Sequence, residues 1–187
     1  MDLHANQIQG FFDIPVDNLF AAPTFVQHIK KNIKSKKLVC VAPDVGGVER
    51  ARAIAKRLSA DLAIIDKRRS GPGTSEVMNV IGDVRSKICI IIDDLVDSGG
   101  TIVNAATALK NKGARDVYAY VVHGVLTGQA VKKINNSKIK KFVISNSICN
   151  IKKIKKSKKF QVISVGTLFA EAIMRISISK SVSKLFK

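Results

Sequence analysis

The chain predicts an α/β fold, a mainly parallel sheet flanked by helices, on three observations. Apolar runs of strand length alternate with segments of helical period. Two of those runs end in glycine-containing turns that lead into helices, which is how a parallel sheet positions ligand-binding loops. The chain has 187 residues, 46% of them hydrophobic, with 5% aromatic and no Trp, so one sizeable core can be built from Ile, Val, Leu and Ala.

In order, residues 37–42 are an apolar strand that Pro43 ends, and 48–58 are a helix with alanines and arginines at helical spacing. Residues 61–66 make the next strand, and 67–75 a basic loop rich in Gly and Pro. Residues 78–82 and 87–92 read as two more strands, for which a hairpin around Asp83 is one connection. Residues 101–111 are helical, with Gly113 as the stop signal. A strand at 117–122, a short helix at 129–134, strands at 140–144 and 160–165 and an amphipathic helix at 167–176 complete the pattern. Residues 148–159 form a polar, lysine-rich connection expected to be mobile. No internal repeat or low-complexity linker divides the chain.

The chemistry concentrates in Asp93-Asp94-Leu95-Val96-Asp97-Ser98-Gly99-Gly100-Thr101, where an apolar strand runs into paired carboxylates and a small, glycine-rich turn. Such a turn suits a sugar phosphate. Gly99 and Gly100 let backbone N–H groups approach a phosphate, Ser98 and Thr101 add hydroxyls, and the following helix offers its positive end. Asp93 and Asp94 can accept hydrogen bonds from ribose hydroxyls or hold a phosphate-bound magnesium ion. A ligand-free capping turn would need neither two glycines nor three carboxylates. A second turn, Asp44-Val45-Gly46-Gly47, also sits at a strand end before a helix and can present donors to a diphosphate. Lys67, Arg68 and Arg69 precede Ser70-Gly71-Pro72-Gly73, an arrangement that puts positive charge on a flexible segment suited to phosphoryl chemistry.

These residues resemble the ribose-phosphate-binding loop of type I phosphoribosyltransferases, and the flanking segments resemble ribose-phosphate pyrophosphokinase. Asp2-Leu3-His4-Ala5 with the following stretch through Asp17 is similar to that family's metal and ATP segment, and Asp66-Lys67-Arg68-Arg69 to its catalytic loop. The resemblance continues through Pro43 to Gly47, Arg85 to Thr101, Ile134 to Ser137 and the closing Ser181 to Phe186. It implies a type I phosphoribosyltransferase-like fold and transfer of the diphosphoryl group of ATP to ribose 5-phosphate, giving phosphoribosyl diphosphate and AMP. It further implies Lys67 and Arg69 as catalytic residues, and Asp93, Asp94, Asp97, Ser98, Gly99, Gly100 and Thr101 as the ribose 5-phosphate site. Asp44, Val45, Gly46 and Gly47 would bind diphosphate, and Asp2, His4, Asp13, Asp17 and Asp44 would serve magnesium, unless Asp2 and His4 belong to a disordered end. The DLHA-like segment lies mid-sequence in full-length relatives, so residues 1–20 are expected to be an arm belonging to a missing N-terminal domain, and 21–187 the phosphoribosyltransferase-like domain. A homo-oligomer or association with that missing half is implied. A non-catalytic regulatory subunit and a base-transferring phosphoribosyltransferase are the alternatives.

The formal charge is +18, and no acidic residue lies between Asp116 and Glu171. Lysines dominate that stretch without arginines or interleaved aromatics of the kind base recognition uses, which predicts a solvated basic face rather than a nucleic-acid site. Of three cysteines, Cys40 and Cys89 fall in apolar runs as buried thiols and Cys149 in a loop. No run reaches membrane-span length and the N-terminus lacks a signal-peptide layout, so the expected location is cytoplasmic, away from membranes. His28 reads as a surface helix residue, and His123 as a substrate-side neighbour at a strand end.

Overall fold

A computed structural model describes residues 1–68 and 77–186. A seven-stranded sheet runs in the order β3-β2-β1-β4-β5-β6-β7. Its strands are β1 Leu38–Ala42, β2 Asp61–Arg68, β3 Val77–Ile81, β4 Ile88–Val96, β5 Asp116–Gly124, β6 Lys141–Ser145 and β7 Phe160–Ile163. All neighbours pair in parallel except β3, which pairs antiparallel with β2. Residues 88–92 are all buried, as expected of a central parallel strand covered on both faces.

The helices are α1 Ala22–Asn32, α2 Val48–Leu58, α3 Gly100–Asn111, α4 Ala130–Asn136, α5 Ile151–Ile154 and α6 Gly166–Ser177. Pro23 opens α1, where its fixed φ and missing N–H are no cost, and Phe25, Val26 and Ile29 form its buried stripe. Helix α2 buries Ala51, Ile54 and Ala55 and ends at Ser59 in the left-handed region, φ 49°. At the end of α3, Gly113 takes φ 87° and the N–H of Ala114 returns to the Leu109 carbonyl. Strand alternation divides the core. Cys89 and Ile91 pack with Ile102, Ala105, Ala106 and Leu109 of α3, while Ile88, Ile90 and Ile92 pack with Phe25 and Ile29 of α1 and Ile54 of α2. Among the described residues no helix is long and apolar enough to cross a membrane.

Three expectations need correction. The hairpin joins β2 to β3, with Arg68 opposite Val77, and not the two strands around Asp83. Strand β4, apolar throughout its first half, instead takes the central position between β1 and β5. Strand β2 also runs two residues past Asp66, so Lys67 lies in a paired strand opposite Met78. Arg69 and the Ser70-Gly71-Pro72-Gly73 stretch lie outside the described residues. Finally, the 148–159 connection is fastened. Ile154 is buried, Asn150 donates to the carbonyls of Gly124 and Val125, Lys153 donates to those of Val125 and Leu126, and Ser157 donates to Asn135.

Candidate functional site

Strands β1 and β4 are parallel neighbours, with Val41 opposite Ile91, so the turns that follow them open at the same edge of the sheet. After β4, Asp97 and Ser98 are exposed and Gly99 stands at the N-cap of α3 with φ 77°. No side chain caps this helix, which leaves its first-turn amides and dipole facing the turn. A Cβ on Gly99 would meet Ile134 at 3.4 Å in a backbone conformation that L side chains rarely adopt. Thr101 is exposed on the first turn. After β1, the Asp44 carboxylate accepts the Gly47 N–H at 3.0 Å and shapes the turn, and Val45 is exposed at its tip. The residues expected to serve a sugar phosphate and those expected to serve a diphosphate are thus brought to adjacent strand ends.

Asp93 and Asp94 lie inside the β4–β5 ladder, with Asp93 opposite Val121. Alternation places Asp93 on the side of Ile91 and α3, and Asp94 on the side of Ile92, α1 and α2. Arg50 of α2 joins them. Its guanidinium donates to Asp94 at 2.8 Å and lies 3.9 Å from Asp93 and 3.8 Å from Asp2. His4 Nδ1 is 3.0 Å from the same Asp94 oxygen. The Asp2 carboxylate accepts the Ala21 N–H at 2.7 Å, and the Asp2 N–H donates to the Leu19 carbonyl, so the arm's first residues pack onto the domain.

Three carboxylates around one guanidinium leave negative charge in excess. Burial, then the charge of Asp94, pushes Asp93 up to about 7. Burial opposes ionisation of Asp94 too, but Arg50 and the hydrogen bond to His4 overcome it and hold that carboxyl below its ordinary value. Burial raises Asp2 against the lowering pull of the Ala21 amide and Arg50. A cavity of about 320 Å³ adjoins the network, lined among others by His4, Gly46, Arg50, Arg57 and Phe20. It lies on the side of the Asp44 turn rather than at Ser98 to Thr101.

The remaining expected metal residues are dispersed. Asp13 and Asp17 are exposed after a short 3₁₀ helix at Asn6–Phe11 and take no part in the Arg50 network. Among the described residues no group of three His, Cys, Asp or Glu side chains is arranged to hold a metal ion. Arg50, which ties these carboxylates together, is one of several arginines on a helix; its place in the first turn of α2, directly after the Asp44 to Gly47 turn, was the available signal. His28 does lie on α1, half-buried, with Nδ1 2.9 Å from the Tyr120 hydroxyl. Cys40 and Cys89 are buried and Cys149 is exposed.

Residues 69–187 match the model of the phosphoribosyl synthetase-associated domain. The chain is 55% identical over 186 residues to a ribose-phosphate pyrophosphokinase of Bradyrhizobium diazoefficiens, covering all of this chain and 59% of that protein. It is 56% identical over 187 residues to the protein of the same name from Hyphomonas neptunium, covering 100% of this chain and 60% of that one. The chain therefore spans about three-fifths of the length of the curated relatives it matches. The crystal structure of phosphoribosylpyrophosphate synthetase from Mycobacterium smegmatis superposes with a TM-score of 0.85 at 35% identity, over 95% of this chain and 57% of that one. A structural match across the sheet and a domain match across 69–187 agree with the two adjacent turns, and the chain belongs to the phosphoribosyl synthetase-associated domain family, with a type I phosphoribosyltransferase-like fold.

Proposed function

We propose that this chain carries the sugar-phosphate half of a ribose-phosphate diphosphokinase, which converts ATP and ribose 5-phosphate to AMP and phosphoribosyl diphosphate. The observation that carries the reading is the pair of turns at the ends of β1 and β4, opening side by side around buried carboxylates. Asp97 to Thr101 would receive the 5-phosphate on the uncapped end of α3, and Asp93 and Asp94 the ribose hydroxyls. Asp44 to Gly47 would receive the diphosphate.

The donor set fits magnesium held jointly with substrate. Magnesium is commonly bound by one or two carboxylates plus phosphate oxygens, and Asp93 and Asp44 offer hard oxygen ligands where negative charge is in excess. His4, beside Asp94, and Asp2 are further positions for it by resemblance. The ion supplies charge neutralisation of polyphosphate oxygens. In the reaction the anomeric oxygen attacks the β-phosphorus of ATP and the bond to the α–β bridging oxygen breaks. Lys67, at the end of β2, and Arg69 would stabilise the charge on the transferring group. Arg50 keeps Asp94 charged and in place beneath the sugar.

Calorimetry with ribose 5-phosphate and with phosphoribosyl diphosphate, each with and without magnesium, tests the reading, followed by an AMP-release assay. Binding with little turnover by the lone chain is expected, because in-line transfer depends on ATP held at the correct angle. Failure to bind either sugar phosphate overturns the proposal. Because the chain covers only three-fifths of its relatives, a second reading is a binding subunit that works beside a longer synthetase; AMP release gained on adding the N-terminal part of a relative in trans separates the two. In that reconstituted setting Lys67→Ala is expected to lower turnover by orders of magnitude with ribose 5-phosphate affinity nearly unchanged. Release of diphosphate from phosphoribosyl diphosphate by a purine or pyrimidine would point instead to base transfer.

A further inference from the structure

His123 stands near the end of β5, opposite Leu95 and two positions beyond the partner of Asp93. Its Nε2 lies 3.0 Å from the carbonyl oxygen of Met1 and 3.3 Å from that of Asp2. Carbonyl oxygens only accept, so Nε2 carries a hydrogen, and Nδ1 lies 2.9 Å from the Ser147 hydroxyl. The Ser147 hydroxyl also lies 3.1 Å from the Val122 carbonyl, which the Ser145 hydroxyl reaches at 2.7 Å. The two carbonyls of Met1 and Asp2 fix a hydrogen on Nε2.

The segment this ring grips is under strain. Asp2 has φ 40°, a conformation unfavourable for a residue with a Cβ, and it persists where surrounding contacts over-determine it. Those contacts are the Asp2 N–H to Leu19, Ala21 to the Asp2 carboxylate, Arg50, and His123 on the carbonyl side. Two residues on, the His4 side chain is 79% exposed and touches Asp94. With so little packed against the imidazole, its place at Asp94 is set by the backbone before it.

We propose that His123 is a positioning residue, which donates from Nε2 to the Met1 and Asp2 carbonyls and so fixes the strained backbone that delivers His4 to Asp94. Its effect on sugar-phosphate binding rests on the function proposed above; the backbone link does not. Glutamine places an amide N–H near the reach of Nε2, whereas asparagine is too short. In the 187-residue chain His123→Asn is expected to speed amide exchange at Asp2 and Ala21 at least tenfold while sheet amides such as Ile90 and Val121 stay unchanged. It is also expected to weaken magnesium-dependent binding of phosphoribosyl diphosphate as much as His4→Ala does, and His123→Gln should restore both. If His123→Asn loses the sheet protection, Ser147→Ala, which keeps the ring but removes the hydroxyl beside Nδ1, is read by the same two measurements. Unchanged exchange at Asp2 and Ala21, or a glutamine variant no better than asparagine, overturns the proposal. A parent chain that binds no phosphoribosyl diphosphate would sink the proposed function, with the exchange comparison still deciding the role of His123.

Discussion

Between Asp93 and Asp94 one step along β4 reverses the protonation chemistry, because alternation sends one carboxyl toward Arg50 and His4 and leaves the other with only a distant share of the guanidinium. Asp93 keeps its proton up to about 7 in the folded chain, against an ordinary value of 3.8. The folded state therefore binds more protons than the unfolded one across that window, so stability falls as pH rises through it and levels off above about 7. Asp2 contributes with the same sign. Asp93→Asn is expected to flatten the urea midpoint between pH 4 and 7 and to gain on the order of 2 kcal/mol over the parent at pH 8. Arg50→Ala does the opposite. It leaves Asp94 buried and charged, and urea unfolding at pH 7 should show a loss on the order of 3 kcal/mol, toward the low end for such pairs because Arg50 is 22% exposed.

Among the elements, those whose signals are local were legible in the sequence. The bounds of α2 follow from its alternation of alanines and charged residues, and both glycine turns from their position after apolar runs. The turn at Gly99 makes the point testable. Gly99→Ala imposes a Cβ on a left-handed residue pressed against Ile134, so it should cost on the order of 1–2 kcal/mol in urea unfolding and weaken sugar-phosphate affinity more than the same change at Gly100, where the nearest contact is 3.9 Å. What was not legible is what depends on partners distant in sequence. Val77 to Ile81 pairs with β2 rather than β4 because β4 is claimed on both edges by β1 and β5. The 148–159 connection looked mobile by composition, yet Asn150 and Lys153 find carbonyls of the 124–126 segment, which no local pattern announces. Arg50 became a site residue only once three acidic segments met around it.

Over the whole molecule the +18 charge is distributed unevenly. Lys140 meets Asp116 and Lys87 meets Asp61 and Asp83, but among the described residues Lys132, Lys133, Lys155 and Lys156 have no carboxylate at ion-pair distance. Repulsion within such a face is screened over about 10 Å at 0.1 M salt. The melting temperature should rise by several degrees between low and moderate ionic strength, and Lys155→Glu with Lys156→Glu should reduce that response in calorimetric scans. The strand order carries a further consequence, for the sequence of events in folding. Strands β1 and β4 touch only after the chain has passed through α2, β2 and β3, whereas β2 and β3 are a local pair. Contacts between segments far apart along the chain form slowly, since loop closure must precede them. The adjacency of the β1 and β4 turns therefore comes into being late, and a refolding chain should acquire β2–β3 protection before the proposed binding of a sugar phosphate can be detected.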